Sequence, residues 1–300
     1  MRVRATAARI FDRLHAAYAG AGARRLTSAV LLATLVVSLL VIELAQRRWL
    51  PASLQAVVPT NHFVAVEWVV ELLLLFEVIE LIFGLAQSVA GALGKQLEVF
   101  SLILLRKSFE ELKHFSEPID LHDLASLASL TDTSLPLWNI TADALGALVV
   151  FAGLVLFNRL QRHRPITTTD EELAQFIDGK KTIALLLLGL LAWLTTRELY
   201  QLVTTGDHFN LFAPLFTALI FSDIAIVFLS LRYNGDFRVV FRNFGFTVVT
   251  VFVRMAITAP PFARALMALG VVLYASALAY IYNASQPRPP EPSSGSMEKG

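Results

Sequence analysis

The chain has 300 residues, of which 56% are hydrophobic and only 16% are charged, and its mean hydropathy is +0.62. Soluble domains are typically about 45–50% apolar and about 25% charged, so this composition excludes an ordinary soluble protein. The formal net charge of +1 gives no basic excess for binding nucleic acid, and we expect no nucleic-acid partner. Because the chain has no cysteine, disulfides, iron–sulfur clusters and thiolate zinc sites are excluded as well.

Eight apolar runs follow one another, each about as long as a membrane-spanning helix. The runs lack the alternation of a transmembrane barrel, and a backbone in lipid must satisfy its own hydrogen bonds, so we predict helices. The sequence therefore predicts an all-α, polytopic membrane helical bundle of about eight transmembrane helices. In chain order the predicted spans are 26–46, 63–88, 95–115, 142–160, 182–203, 211–233, 238–259 and 262–283.

The segment before the first span has the pattern of an amphipathic helix. Its apolar residues fall on one helical face, with arginines between them; they are Val3, Ala7, Ile10, Phe11, Leu14 and Tyr18. Such a helix is typical of a segment that lies on the membrane surface, and its arginines favour anionic lipid there. The alternative is a basic tail that only helps to orient the protein.

Basic residues predict the orientation of the bundle. Lys and Arg are concentrated on the side of the two termini, and the opposite side carries only Arg47, Arg48, Lys107, Lys113 and Arg264. The positive-inside rule then places both termini in the cytoplasm, which predicts a multi-pass protein of the inner (plasma) membrane.

The two halves of the chain repeat one pattern. A membrane acid is followed, in the next span, by a deep arginine; the two sets are Glu77 with Arg106, and Asp223 with Arg254. Because each half has four spans, the copies share one orientation and are related by an axis along the membrane normal. The predicted units are a basic amphipathic segment 1–25, a first four-helix repeat 26–162, a linker 163–180, a second repeat 181–284 and a disordered tail 285–300.

The hairpin of the sixth and seventh spans resembles the phosphate-starvation-inducible PsiE family. The resemblance rests on residues 221–224 (Phe-Ser-Asp-Ile), 230–233 (Ser-Leu-Arg-Tyr) and 237–238 (Phe-Arg), followed by Thr250 and Arg254. It implies small four-helix inner-membrane units, here in a tandem duplication that makes the chain twice the family's length. The first half is similar more loosely. The resemblance implies no catalytic residue and no cofactor.

Charged residues within the predicted spans are the candidate functional residues, because a charge at the bilayer centre costs about 2.5–3.5 kcal/mol on insertion scales. These candidates are Glu77, Glu80, Arg106, Asp223, Arg254 and Arg197. Depth pairs Glu77 with Arg106, and Asp223 with Arg254 or Arg197. Such pairs conduct protons or small ions, respond to voltage, or act as static salt bridges that fix helix register.

Motifs for enzymatic chemistry are absent from the sequence. It contains no serine-hydrolase elbow, zinc-protease motif, P-loop or dinucleotide fingerprint. We therefore expect a protein that is not an enzyme and has no cofactor or metal. The predicted function is proton or small-ion conduction, or stress sensing, through buried acid–arginine pairs. The alternative is a structural or binding subunit of a membrane complex without transport activity. The lipid bilayer is the expected partner, and the sequence leaves a homo-oligomer open.

Overall fold

The computed structural model describes residues 2–51, 55, 58–86, 89–114, 136–160, 170–204, 211–232 and 237–285. Within these ranges the chain forms nine α-helices and a short 3-10 helix, and it has no strand. The α-helices are α1 (Arg2–Ala19), α2 (Ala21–Gln46), α3 (Phe63–Gly84), α4 (Val89–Glu110), α5 (Pro136–Leu160), α6 (Asp170–Thr204), α7 (Phe212–Leu231), α8 (Phe237–Thr258) and α9 (Pro261–Ala284). The 3-10 helix is Glu111–His114. The prediction of an all-helical fold is confirmed for this part of the chain.

Six of the described helices, α2 and α5 to α9, are long and apolar enough to cross a membrane. Their outer faces carry large exposed side chains such as Leu32 on α2 and Leu148 on α5, as expected of helices that contact lipid. The chain is therefore a membrane-embedded helical protein. Helices α3 and α4 coincide with the second and third predicted spans but carry several charges each, and the count of eight spans stays a prediction.

Helices α4, α5, α8 and α9 form the centre of the bundle, where α5 contacts both α4 and α9, and α8 contacts both α4 and α9. Helices α5 and α9 run parallel, since residues in contact advance together along both. The contacting pairs are Asp143 with Arg264, Gly146 with Ala265, Gly153 with Val272, and Leu160 with Asn283. Helix α2 lies at the periphery, with 17% of its apolar stretch buried.

Gly153 permits the closest approach between α5 and α9. A Cβ atom at this position would overlap the side chain of Val272. We therefore expect Gly153→Val to destabilise the protein by about 1–3 kcal/mol, the usual cost of overpacking a core. Thermal unfolding in detergent, followed by size-exclusion chromatography, measures the effect.

Gly270 on α9 provides the matched control, because a Cβ atom there would meet nothing within 4 Å. Gly270→Ala should leave the midpoint of thermal unfolding unchanged or raise it, since alanine stabilises a helix by about 1 kcal/mol relative to glycine. Equal midpoints for Gly153→Val and the parent protein would contradict the close packing of α5 against α9.

Helix α1 packs onto the bundle, where it contacts α6 and α2. Phe11 is buried, Asp12 forms an ion pair of 2.8 Å with Lys181, and the Tyr18 hydroxyl donates to the Phe76 carbonyl at 2.8 Å. The apolar face predicted for this segment therefore has a part that is buried against the bundle and a part that is exposed. Phe11 and Tyr18 face protein, while Ile10 on the other part of that face is exposed.

Candidate functional site

Asp223 lies in the interior of the bundle, on the buried face of α7. The residues of that face recur at helical spacing, and Asp223 follows Leu219 and precedes Ile226 among them. The carboxylate is 6% exposed. Its oxygens accept hydrogen bonds from the Gln96 Nε2 of α4, at 3.3 Å for Oδ1 and 3.4 Å for Oδ2. Helix α4 of the first half therefore supplies a direct polar partner to the acid of the second half.

Two buried cations and a hydroxyl complete this cluster. Lys180 of α6 is 1% exposed and Arg254 of α8 is 4% exposed, and both exert an electrostatic effect on Asp223. The Thr250 side chain of α8 lies beside the carboxylate as well, and its hydroxyl donates to the Thr247 carbonyl at 2.8 Å. Four helices thus converge on one carboxylate. We call Gln96, Lys180, Asp223, Thr250 and Arg254 the Asp223 cluster.

A small cavity adjoins the Asp223 cluster. Its volume is about 30 Å³, and Gln96, Lys180, Asp223 and Thr250 contribute to its lining together with apolar residues such as Phe246. Since one water molecule needs about 10–15 Å³ of such volume, the cavity has room for about two. The polar groups in this mostly apolar lining are suited to hold water against the carboxylate.

The predicted partners Asp223 and Arg254 lie near each other but do not form a direct salt bridge. Among the described residues no ion pair within 4 Å joins the two side chains. The Arg254 guanidinium instead lies over the Phe216 ring, 5.2 Å from its centroid. Its Nε and Nη2 have no hydrogen-bond partner. The charge of Asp223 therefore acts on Arg254 through the low-dielectric interior.

Arg197, the other predicted partner of Asp223, is placed elsewhere. It is exposed on α6 and lies 5.9 Å from the centroid of the Trp193 ring. Lys180, on the same helix, is the cation that α6 contributes to the cluster. The sequence analysis assigned Lys180 to the linker 163–180, whereas the structure shows helix from Asp170 onward.

The acids of the first half line a second, larger cavity among α1, α2, α3 and α4, with a volume of about 660 Å³. Glu77 is 9% exposed within it. Glu80 forms an ion pair with Lys95 of 2.7 Å, and Lys95 also lies 3.1 Å from Glu98. We call this space the α1–α4 cavity.

The structure does not bring Glu77 and Arg106 into a direct pair, for no ion pair within 4 Å joins them in the described part of the chain. The Arg106 guanidinium lies 5.9 Å from the centroid of the Phe212 ring of α7. Its Nε is buried without a hydrogen-bond partner. Glu77, by contrast, borders the α1–α4 cavity.

A further buried ion pair was missed by the sequence analysis. Asp143 of α5 is fully buried, and its Oδ2 accepts a hydrogen bond of 2.7 Å from Arg264 Nη1 of α9. Arg264 also donates to the Ala259 carbonyl from Nε at 3.1 Å and Nη2 at 2.9 Å. The signal was present in the sequence, because both residues occupy the second position of an Ala-x-Ala-Leu stretch, at 142–145 and 263–266. Because Arg264 was counted among the basic residues of the outer side, its pairing with Asp143 was not predicted.

Comparison with known proteins adds no relative from which function could be transferred. No protein-family model matches the chain. No curated protein and no solved structure matches it either. The functional conclusion therefore depends on the geometry of the Asp223 cluster and the two cavities.

Proposed function

We propose that this chain is an inner-membrane protein that conducts protons through the Asp223 cluster. The observation that carries the proposal is the buried carboxylate of α7, which borders a chamber with room for water. Side chains from three other helices lie around this carboxylate. Ionisable residues inside membrane bundles are costly, and they mark ion paths and proton relays. A carboxylate that alternates between protonated and ionised forms is the usual element of such a relay.

The small size of the chamber favours protons over metal cations. Its volume of about 30 Å³ has room for about two water molecules. A sodium or potassium ion would have to lose most of its hydration shell to enter this space. A proton instead passes along water molecules and is taken up by the Asp223 carboxylate, which borders the chamber.

The path to Asp223 begins at the α1–α4 cavity. Lys95 and Gln96 are consecutive residues of α4; Lys95 lines the α1–α4 cavity, and Gln96 lines the small chamber. On α3, Gly84 borders the larger cavity, and Leu85 directly after it borders the chamber. The two spaces are therefore separated by about one layer of side chains, and rearrangement of Gln96 would connect them.

The proposal includes the tandem duplication and the likeness to PsiE proteins, with both termini cytoplasmic. Its support is the parallel packing of α5 against α9, the fourth helices of the two predicted halves, with Asp143 and Arg264 at matching positions of similar stretches. A two-fold axis along the membrane normal brings equivalent helices together in this parallel manner. Each half then contributes one acid, Glu77 or Asp223, to a cavity.

Ion selectivity in liposomes tests this function. The purified protein, reconstituted with a pH-sensitive dye inside, should admit protons when a potassium diffusion potential is applied with valinomycin. Because the chamber is too small for a hydrated metal cation, the rate should not change when external sodium is replaced by the impermeant cation N-methyl-D-glucamine. A sodium-dependent rate would contradict proton selectivity.

A structural or binding subunit without transport activity is the second candidate, and the Asp143–Arg264 pair favours it. This pair is buried and directly bonded, and neither member lines the chamber, which is the arrangement of a static bridge that fixes helix register. Proton rates equal to those of protein-free liposomes would leave this second function as the better one.

A further inference from the structure

The α1–α4 cavity has the size of a ligand site. Its volume of about 660 Å³ falls within the range of about 300–1,000 Å³ that is common for small-molecule pockets. Its walls combine apolar side chains, such as Leu31 and Leu73, with charged ones. Helix α2, which forms one wall, is mostly exposed and carries outward leucines and valines such as Leu32 and Val36, so the cavity adjoins the surface that contacts lipid.

Two side chains of opposite charge in this cavity have no direct partner within the described residues. Glu77 is 9% exposed, and its carboxylate makes no hydrogen bond or ion pair there, although Arg106 and Lys95 act on it from a distance. Arg24 lines the same cavity from its exposed side and, in that same part of the chain, has no acidic partner. Lys95 is different, because Glu80 and Glu98 form ion pairs with it. A ligand that pairs directly with both Glu77 and Arg24 must carry one cationic and one anionic group.

Tyr18 provides a fixed neutral part of the cavity wall. Its hydroxyl donates to the Phe76 carbonyl at 2.8 Å, and its ring lies 5.3 Å from the Phe83 ring. Burial, together with Glu80 and Glu77, raises the pKa of Tyr18 to about 12. The tyrosine therefore stays protonated at physiological pH and does not compete with Glu77 for a cation.

We propose that the α1–α4 cavity binds the zwitterionic headgroup of an aminophospholipid of the phosphatidylethanolamine type. The ammonium group contacts Glu77, the phosphate contacts Arg24, and the acyl chains leave past Leu31 toward the exposed face of α2. An anionic lipid without an amine would leave the Glu77 carboxylate unpaired in a buried place, which is costly. Soluble phosphoethanolamine also carries an ammonium group and a phosphate, but it does not use the apolar wall.

Lipid binding to the purified full-length protein in detergent tests the proposal, with native mass spectrometry as the readout. Phosphatidylethanolamine should bind about tenfold more tightly than phosphatidylglycerol of the same acyl chains. Glu77→Gln and Arg24→Gln should each weaken phosphatidylethanolamine binding by about tenfold. Soluble phosphoethanolamine should not displace the lipid at equal concentration.

Arg25→Gln is the matched control, because Arg25 is the neighbour of Arg24 in sequence yet lines no part of the cavity. This variant should bind the lipid as the parent does. Equal binding of the two lipids, or equal loss in Arg24→Gln and Arg25→Gln, would overturn the proposal. Displacement by phosphoethanolamine would overturn the lipid as the ligand. The lipid proposal is tested independently of proton conduction, because its readout is lipid binding by the purified protein.

Discussion

Asp143→Asn should destabilise the protein by about 3–5 kcal/mol, the usual cost of leaving one member of a buried ion pair without its partner. The variant keeps the shape of the side chain but removes the charge that compensates Arg264, which is 7% exposed. Arg264→Gln should have a similar effect for the same reason. Thermal or denaturant unfolding in one detergent, compared with the parent protein, measures both.

The exchanged pair provides a sharper version of this experiment. If Asp143 and Arg264 occupy equivalent positions of two repeats, Asp143→Arg combined with Arg264→Asp should recover most of the lost stability, whereas either change alone should not. Asp178→Asn is a suitable control, because Asp178 is only half-buried and lines neither cavity. A double variant as unstable as the worse single variant would contradict the equivalence, and an Asp143→Asn midpoint equal to the parent's would contradict the pair itself.

Asp223→Asn should reduce proton flux at least tenfold, because an amide neither takes up nor releases a proton at neutral pH. The asparagine can still accept a hydrogen bond from Gln96 through its carbonyl oxygen. It leaves Lys180 and Arg254 without their compensating charge, so the folded state of the variant must be checked by size-exclusion chromatography. Asp223→Glu keeps the titratable group and should retain part of the flux, which separates a loss of chemistry from a loss of folding.

Hydropathy located the helices well, but it did not locate their ends. The fifth predicted span, 182–203, corresponds to a helix that begins at Asp170. Likewise, the fourth predicted span, 142–160, corresponds to a helix that begins at Pro136. An apolar run marks the part of a helix that suits lipid, whereas the helix itself continues through polar residues by its own hydrogen bonds. Lys180 therefore appeared to be a linker residue although it lies inside a helix.

Pairing by depth selects candidate residues but not their contacts. Residue counting along two consecutive spans gives the height of each side chain, and two of the residues that it selects, Glu77 and Asp223, are buried in the structure. It gives no rotation of one helix about its axis relative to the next. Rotation decides which side chains meet; it brings Lys95 into a direct ion pair with Glu80 of α3, whereas Arg106 acts on the acids of α3 only from a distance. Packing between the two halves sets this rotation.

Contacts between distant helices were the least accessible to sequence reasoning. Gln96 and Asp223 are separated by 127 positions, and Asp143 and Arg264 by 121. Neither Gln96 nor Asp143 is marked as a candidate by its residue type. Only the packing of the two halves against each other makes these residues important. The similar stretches 142–145 and 263–266 are the one local pattern that points to such a contact. Their meaning depends on the parallel arrangement of α5 and α9.

Proton uptake by liposomes that contain the parent protein, Asp223→Asn or Asp178→Asn is the most direct measurement of the proposed function. All three proteins are reconstituted at equal protein-to-lipid ratio, and the initial rate of internal acidification is recorded under one diffusion potential. The account predicts equal rates for the parent and Asp178→Asn, and at least tenfold slower uptake for Asp223→Asn. Equal rates for the parent and a correctly folded Asp223→Asn would contradict conduction through the Asp223 cluster.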